Sequence, residues 1–224
     1  MNGPLFVSVD GFDGAGKSTL VAGLSRDLSR RGVTVAVIDR TLPQSTPQID
    51  ALARAIKRSD GGIQPLDELT DALVRAACGH ERITVGRAAD ADVVLLDRWL
   101  LWDLRRTTDR AYATTRRIFA EIVDGAGTLV PLLLDIDFET AWARVTQRGT
   151  ALSPRELLGA DHNRALHGRL PVGRDRLEEC GASATLIDAR LTADRVLDRA
   201  LEIVVARMPG AADADLRLRA DDVA

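Results

Sequence analysis

The feature that most constrains the fold is the stretch VSVDGFDGAGKSTL, from Val7 to Leu20. An apolar, β-branched run over Leu5–Asp10 predicts a buried strand, and Ser18–Arg30 has the apolar period of a helix. The glycine-rich turn between them fits the spacing G-x-x-x-x-G-K-[ST]. A strand that passes through such a turn directly into a helix is typical of a phosphate-binding loop.

The residue types in this turn indicate how it would hold a nucleotide. Glycines let backbone N–H groups turn inward onto phosphate oxygens, and the helix directs its positive N-terminus at the same point. Lys17 is expected to reach the β- and γ-phosphates, and the Ser18 hydroxyl to bind Mg²⁺. We therefore expect ATP and Mg²⁺ as cofactors. The expected ATP-binding residues of the loop are Gly11, Gly14, Ala15, Gly16, Lys17, Ser18 and Thr19.

The rest of the chain alternates strand and helix patterns. Further strands are predicted over 33–39, 92–97, 129–137 and 183–188. Helices are predicted from Pro47, over 66–89, in one or two pieces over 98–123, over 138–148, over 161–180 with a break near LPVG, and over 192–208. This order predicts a three-layer α/β fold, with a parallel sheet of about five strands flanked by helices.

The length of 224 residues suits one sizeable domain, which we place at residues 1–208. Residues 149–160 are predicted to form an exposed lid loop. Residues 209–224 lack an apolar period and are predicted to be a frayed tail.

Composition excludes several classes of partner. The net charge of −3 offers no attraction for a nucleic acid polymer. The sequence also lacks the apolar run of about 18 residues that would predict a membrane span. The N-terminus lacks the basic start and apolar core of a secretory signal. Two cysteines without metal-ligand spacing suit reduced thiols, so we expect a cytoplasmic protein.

Four segments together resemble the thymidylate kinase family of nucleoside monophosphate kinases, over about residues 4–208. They are DGFDGAGKST, VVLLDRW (Val93–Trp99), LVPLLLDIDFETAWARVTQRG (Leu129–Gly149) and TLIDA (Thr185–Ala189). They follow one another in the order of the family and at nearly its spacing. The resemblance implies the P-loop kinase fold and ATP-dependent phosphoryl transfer.

The resemblance also implies roles for individual residues. Asp13 would lie against the sugar of the acceptor, Asp97 would hold Mg²⁺ through water, and Arg98 would clamp the acceptor phosphate. On the ATP side, Arg144 and Arg148 would approach the transferring phosphoryl group from the lid. The loop that follows the last strand, which contains Arg190, would contact adenine.

Three departures from the family pattern affect the acceptor site. The loop after the second strand reads DRTLPQSTP, which keeps Arg40 and Pro43 but loses an acidic residue and two glycines. The long helix has Leu73 where the family has a base-stacking phenylalanine, followed by Arg75 or Arg82. Ala111-Tyr112 is displaced and no glutamine follows it. A site that reads a base by hydrogen bonds discriminates strongly, so the acceptor could be dTMP, another nucleotide, a nucleoside or a sugar-like metabolite.

The chemistry of the acceptor separates these alternatives. A phosphate acceptor needs cationic clamps, for which Arg40, Arg75 and Arg98 are candidates, whereas a hydroxyl acceptor benefits from a nearby carboxylate. Asp39 ends the second strand, near where related deoxynucleoside kinases place a catalytic acid. We favour transfer to a nucleoside monophosphate, with dTMP as the default. The alternatives are a nucleoside or small-metabolite kinase and, less favoured, an ATP-binding regulatory protein without turnover.

The family commonly forms dimers through helices, so a homodimer is one expectation. The apolar stretch Trp99–Leu104 suits such an interface, and core packing explains it equally well.

Overall fold

The structure is a computed structural model that describes residues 3–39, 67–149, 151–153 and 155–208. Within these ranges five strands form one sheet in the order β2-β3-β1-β4-β5, and every pair is parallel. The strands are β1 (Leu5–Gly11), β2 (Val35–Ile38), β3 (Val93–Asp97), β4 (Leu129–Asp135) and β5 (Thr185–Asp188). The predicted α/β fold class is therefore confirmed.

Eight α-helices and one 3₁₀ turn of the described residues accompany the sheet. The helices are α1 (Lys17–Arg30), α2 (Glu68–Ala88), α3 (Leu100–Arg106), α4 (Asp109–Ala126), α5 (Phe138–Gln147), α6 (Gly159–His167), α7 (Leu170–Glu179) and α8 (Ala193–Val205), and the 3₁₀ turn is Glu156–Leu158. No helix in these ranges is both long enough and apolar enough to cross a membrane.

Local sequence explains where these elements lie. All seven residues of β1 are buried, as expected of a central parallel strand with its neighbours β3 and β4 on either side. Several helices start at a side chain that accepts a hydrogen bond from a backbone N–H of the first turn. These capping residues are Asp67 for α2, Thr108 for α4, Asp137 for α5 and Thr192 for α8.

The lid differs from the sequence prediction. Residues 149–160 were expected to form an exposed loop, but Glu156 is buried and begins a 3₁₀ turn, and α6 already starts at Gly159. The Glu156 carboxylate accepts hydrogen bonds from Arg148 and from the backbone N–H of Ser153, and the neighbouring Arg155 donates to Asp13, which joins the segment to the rest of the protein. The expectation of an exposed loop holds at Leu157 and Leu158 but was wrong at Glu156, because the sequence does not reveal these partners.

One predicted helix break lies slightly earlier than expected, and other predictions lie outside the described residues. The break expected near LPVG falls earlier, at Gly168-Arg169, because Pro171 occupies the first turn of α7, where a missing N–H costs nothing. The helix predicted from Pro47 and the tail at 209–224 lie outside the described residues. Trp99–Leu104 lies mostly in the core of the chain itself, with Trp99 and Trp102 buried, so core packing accounts for this apolar stretch.

Gly86 supplies a test of how closely α2 packs on the sheet. A Cβ atom at this position would lie 2.6 Å from Phe6 Cε1 and 2.9 Å from Val94 Cγ1, both in fully buried side chains. We expect Gly86→Ala to lower the free energy of unfolding by about 1–3 kcal/mol, measured by urea denaturation. Gly125 in α4 has no atom within 4 Å of such a Cβ, so Gly125→Ala should raise it by up to ~1 kcal/mol. Equal stabilities of the two variants would contradict the packing described here.

Candidate active site

The phosphate-binding loop joins the end of β1 to the start of α1 and packs against α5. Gly14 has a φ of +86°, and a Cβ there would lie 2.2 Å from the carbonyl oxygen of Ala141, so only glycine fits. Lys17, the first residue of α1, is buried, and its Nζ donates a hydrogen bond to the carbonyl oxygen of Phe12 at 2.6 Å. Burial, and after it the charge of Arg98, lower the pKa of Lys17 to about 7.

Ser18 and Asp97 meet at the carboxyl end of the sheet. The Ser18 hydroxyl donates to Asp97 Oδ2 at 3.2 Å, and Asp97 Oδ1 is buried without a hydrogen-bond partner. Mg²⁺ prefers oxygen ligands and usually takes only one or two carboxylates beside phosphates and water. These two oxygen-bearing side chains fit that requirement, although the described ranges contain no group of three or more His, Cys, Asp or Glu placed to hold a metal.

Asp13 is the centre of an ion-pair cluster. Its carboxylate accepts from Arg98 Nη2 and from Arg155 Nη2, each at 2.5 Å, and lies 3.8 Å from Lys17 Nζ. The side chain is only 5% exposed. Burial by itself would raise the pKa of Asp13, but the charges of Arg98, Lys17 and Arg155 outweigh it and lower the pKa to about 2. The carboxylate is therefore held ionised.

Arg98 adopts a backbone conformation that is rare for a residue with a side chain. Its φ is +63°, in the left-handed region, which costs on the order of 1–3 kcal/mol outside glycine. Three contacts hold it there: its N–H donates to the Val9 carbonyl, its carbonyl accepts from Arg82, and the next N–H, of Trp99, donates to Asp10. This turn directs the Arg98 side chain toward Asp13 and the phosphate-binding loop.

Asp10 is a buried carboxyl that the sequence analysis treated only as a strand residue. Its Oδ1 accepts from the Trp99 N–H at 3.1 Å, and its Oδ2 has no hydrogen-bond partner. Burial raises the pKa of Asp10 to about 6, an effect that its hydrogen bond with Trp99 only partly offsets. Its place at the last position before the glycine loop was the one available signal that this residue supports the site.

Three arginines surround the indole ring of Trp102. The guanidinium carbons lie 3.5 Å from the ring centre for Arg105, 4.5 Å for Arg155 and 4.9 Å for Arg98. Arg105 and Arg155 were not predicted as site residues. Arg155 belongs to the segment predicted as a lid, which was a usable signal, whereas nothing in the sequence distinguishes Arg105 from the many other arginines.

The two arginines predicted on the ATP side lie on or next to α5, which packs against the phosphate-binding loop. Arg144 Nη1 donates to the carbonyl oxygen of Ala189, in the segment after β5, at 3.0 Å. Arg148 Nη2 donates to Glu156 at 2.6 Å. Arg190, in the same segment as Ala189, is paired with Asp188. The contacts of these arginines with a nucleotide stay predictions.

Of the other predicted acceptor residues, Arg75 and Asp39 belong to the described part of the chain. Arg75 on α2 donates to Asp71 at 2.7 Å and to Asp103 on α3 at 3.2 Å. Ile38 pairs with Leu96, so Asp39, the next residue, lies at the level of Asp97 where the neighbouring strand ends, and it is exposed. Arg40 lies outside the described residues.

Comparison with known proteins identifies several thymidylate kinases as relatives of this chain. The chain is 30% identical to the thymidylate kinase of Chromohalobacter salexigens over 155 residues, which cover 64% of this chain and 69% of that protein. It is 28% identical to the thymidylate kinase of Xanthomonas campestris pv. campestris over 220 residues, covering 92% of this chain and 85% of the relative. A probable thymidylate kinase of Archaeoglobus fulgidus is 25% identical over 206 residues, covering 89% and 94%. No model of a known protein family matches the sequence.

Among solved structures, deoxyadenosine kinase from M. mycoides with bound dCTP is similar in fold. The TM-score is 0.55 at 16% identity, and the match covers 88% of this chain and 97% of that one. At this identity the likeness supports the fold alone.

Asp10 generates a prediction about pH. Its folded-state pKa of about 6 lies above its ordinary value of 3.8, so the native state binds this proton more tightly than the unfolded state does. Asp10 should therefore make the protein less stable as pH rises from about 4 to about 6, by about 3 kcal/mol in total. Asp10→Asn imitates the protonated carboxyl, so relative to the wild type it should gain that stability at pH 7 and lose this part of the pH dependence.

Urea denaturation of the wild type and of Asp10→Asn at several pH values between 4 and 8 measures this difference. The matched control is Asp10→Ala, which also removes the charge but leaves the Trp99 N–H unpaired, so it should be less stable than Asp10→Asn at every pH. The prediction would be wrong if the free energy of unfolding of Asp10→Asn changed with pH as it does in the wild type. The Asp10 carboxyl would then have the same pKa in the folded and unfolded states.

Proposed function

The chain belongs to the thymidylate kinase family and is a nucleotide kinase, and we propose that it transfers the γ-phosphoryl group of ATP, with Mg²⁺, to a nucleoside monophosphate. The default acceptor is dTMP. The observation that carries this proposal is the cluster of cations around Asp13, directly beside the phosphate-binding loop.

The charge of this cluster favours an acceptor that is already phosphorylated. A carboxylate with a pKa of about 2 is a weak base at neutral pH, so Asp13 is poorly suited to remove a proton from a hydroxyl group. The phosphate of a nucleotide is anionic near pH 7 and needs no base. It needs planar, multidentate donors, which the guanidinium groups of Arg98 and Arg155 supply.

The phosphate-binding loop provides the donor side of the proposed reaction. The backbone N–H groups after Gly14 and the N-terminus of α1 would hold the β- and γ-phosphates, and Lys17 would place a positive charge on their oxygens. Ser18 and Asp97 would hold Mg²⁺, which neutralises phosphate charge when bound. Arg148 would reach the transferring group from the lid. Phosphoryl transfer has a loose transition state, so positioning and positive charge supply most of the catalysis.

A second candidate is transfer to the hydroxyl group of a nucleoside or another small metabolite. The observation in its favour is Asp39, an exposed carboxylate at the carboxyl end of β2 and level with Asp97. A carboxylate at this edge of an open α/β sheet lies where substrates bind and can act as a general base.

Lys17→Met tests the donor side. Methionine has a similar length and suits a buried position, so the melting temperature should stay within a few degrees of the wild type. The loss of the charge should slow turnover by about two to three orders of magnitude. An ADP-release assay together with a thermal melt measures both effects. Full activity in this variant would show that the glycine loop does not hold the transferred phosphate.

Arg98→Ala and Asp39→Asn distinguish the two acceptor classes. If the acceptor is a monophosphate, Arg98→Ala should raise its KM by about 10–100-fold, because a charge-assisted contact to phosphate is lost. The assay compares nucleoside monophosphates with the matching nucleosides. The hydroxyl acceptor would be favoured instead if Arg98→Ala had a negligible effect and Asp39→Asn slowed turnover by about two orders of magnitude or more.

A further inference from the structure

We propose that Arg105 is a further acceptor-binding residue, which forms with Arg98 and Arg155 an anion site on Trp102 for the phosphate group of a phosphate monoester. This inference rests on the proposed function, and it names the chemical feature by which the site would select its acceptor. We call these three arginines and Trp102 the arginine cluster.

Arg105 is a buried cation with unused donors. Its side chain has no solvent exposure, and Nη1 donates to the carbonyl oxygen of Leu166 at 2.8 Å. Nε and Nη2 are buried without hydrogen-bond partners, as is Nη1 of Arg98. Buried N–H groups are almost always paired, and a charged one left unpaired is expensive. A ligand that accepts these hydrogen bonds removes the cost.

Arg105 carries a positive charge without an ion pair to any residue in the described part of the chain. The nearby carboxylate of Asp13 pairs with Arg98, Arg155 and Lys17. Burial, and after it the charge of Arg155, lower the pKa of Arg105 to about 9. The dianionic phosphate of a nucleotide supplies the missing negative charge, and its oxygens match the donor geometry of guanidinium groups.

The packing of α7 on α3 holds Arg105 in this position. A Cβ at Gly173 of α7 would lie 2.8 Å from the Cβ of Arg105 and 2.7 Å from the carbonyl oxygen of Leu101, so the close approach depends on glycine. The guanidinium is stacked on Trp102 at 3.5 Å, an orientation that the ring quadrupole favours. Arg105 is thus oriented in advance of ligand binding.

The rim of the arginine cluster reaches solvent. The side chains of Arg98 and Arg155 are 20% and 19% exposed, whereas Arg105 is fully buried. A phosphate group that enters from solvent would contact these two arginines first and Arg105 after them. An uncharged nucleoside would leave the donors of Arg105 unpaired, and the site would therefore reject it.

Arg105→Met tests this role, because methionine keeps an unbranched apolar chain against Trp102 and removes the charge. We expect the KM of the nucleoside monophosphate to rise by about 10–100-fold, while the KM of ATP changes less than about threefold. The melting temperature should stay the same or rise, because the variant removes an unbalanced buried charge. A purely structural role predicts the reverse: a lower melting temperature with an unchanged acceptor KM.

The matched control is Arg117→Met, at an arginine of α4 whose side chain is 91% exposed. It should leave both KM values and the melting temperature unchanged. Calorimetric titration of the wild type and of Arg105→Met with each nucleoside monophosphate, its nucleoside and inorganic phosphate measures binding independently of turnover.

These measurements separate the inference from the proposed function. If the wild type phosphorylates a monophosphate and Arg105→Met has the same KM, the inference is wrong and the proposed function stands. If the wild type binds monophosphates more tightly than nucleosides without phosphorylating them, and Arg105→Met loses this preference, the anion site stands and the proposed function is wrong. If the wild type shows no preference for monophosphates, both are overturned.

Discussion

The ion pairs of Asp13 connect the parts of the candidate site. One buried carboxylate joins the phosphate-binding loop that carries it to Arg98 at the end of β3 and to Arg155 ahead of the 3₁₀ turn. Arg98 and Arg155 are far apart in the chain. Both are positively charged, so they would repel one another without the carboxylate between them. Breaking one partner of a buried ion pair is costly, and this network therefore makes the relative positions of loop, strand end and lid mutually dependent.

The surrounding fold supports this network by stabilising a strained backbone and a buried carboxyl group. Arg98 has a left-handed backbone, and Asp10 is a buried carboxyl with a raised pKa. The hydrogen bond from Trp99 to Asp10 links them, since it fixes the turn that directs Arg98 at Asp13. Strain and buried polar groups are commonly concentrated at functional sites, where the rest of the fold outweighs their cost. Arg105, buried with unused donors beside Trp102, extends the same pattern.

The sequence was most informative where the chemistry is local. Strand, glycine turn and helix are contiguous in the phosphate-binding loop, and its residues lie as their spacing predicts. Residues at the ends of β1, β2 and β3 could also be placed together, because parallel strands end at one edge of a sheet. Arg155 and Arg105 were missed for the opposite reason. Arg155 reaches Asp13 across 142 positions of the chain, and no periodic pattern encodes such a contact.

By itself, the sequence therefore determined the α/β layering, the parallel order of strand and helix, and the glycine turn between β1 and α1. Each of these depends on short-range periodicity and on backbone geometry that glycine and lysine impose locally. Only the tertiary structure decided which arginines surround Trp102. That choice depends on the approach of α7 to α3 at Gly173, on the contacts of three guanidinium groups with the ring of Trp102, and on the complete burial of Arg105. Packing, burial and charge balance arise between distant segments, so they exist only in the folded chain.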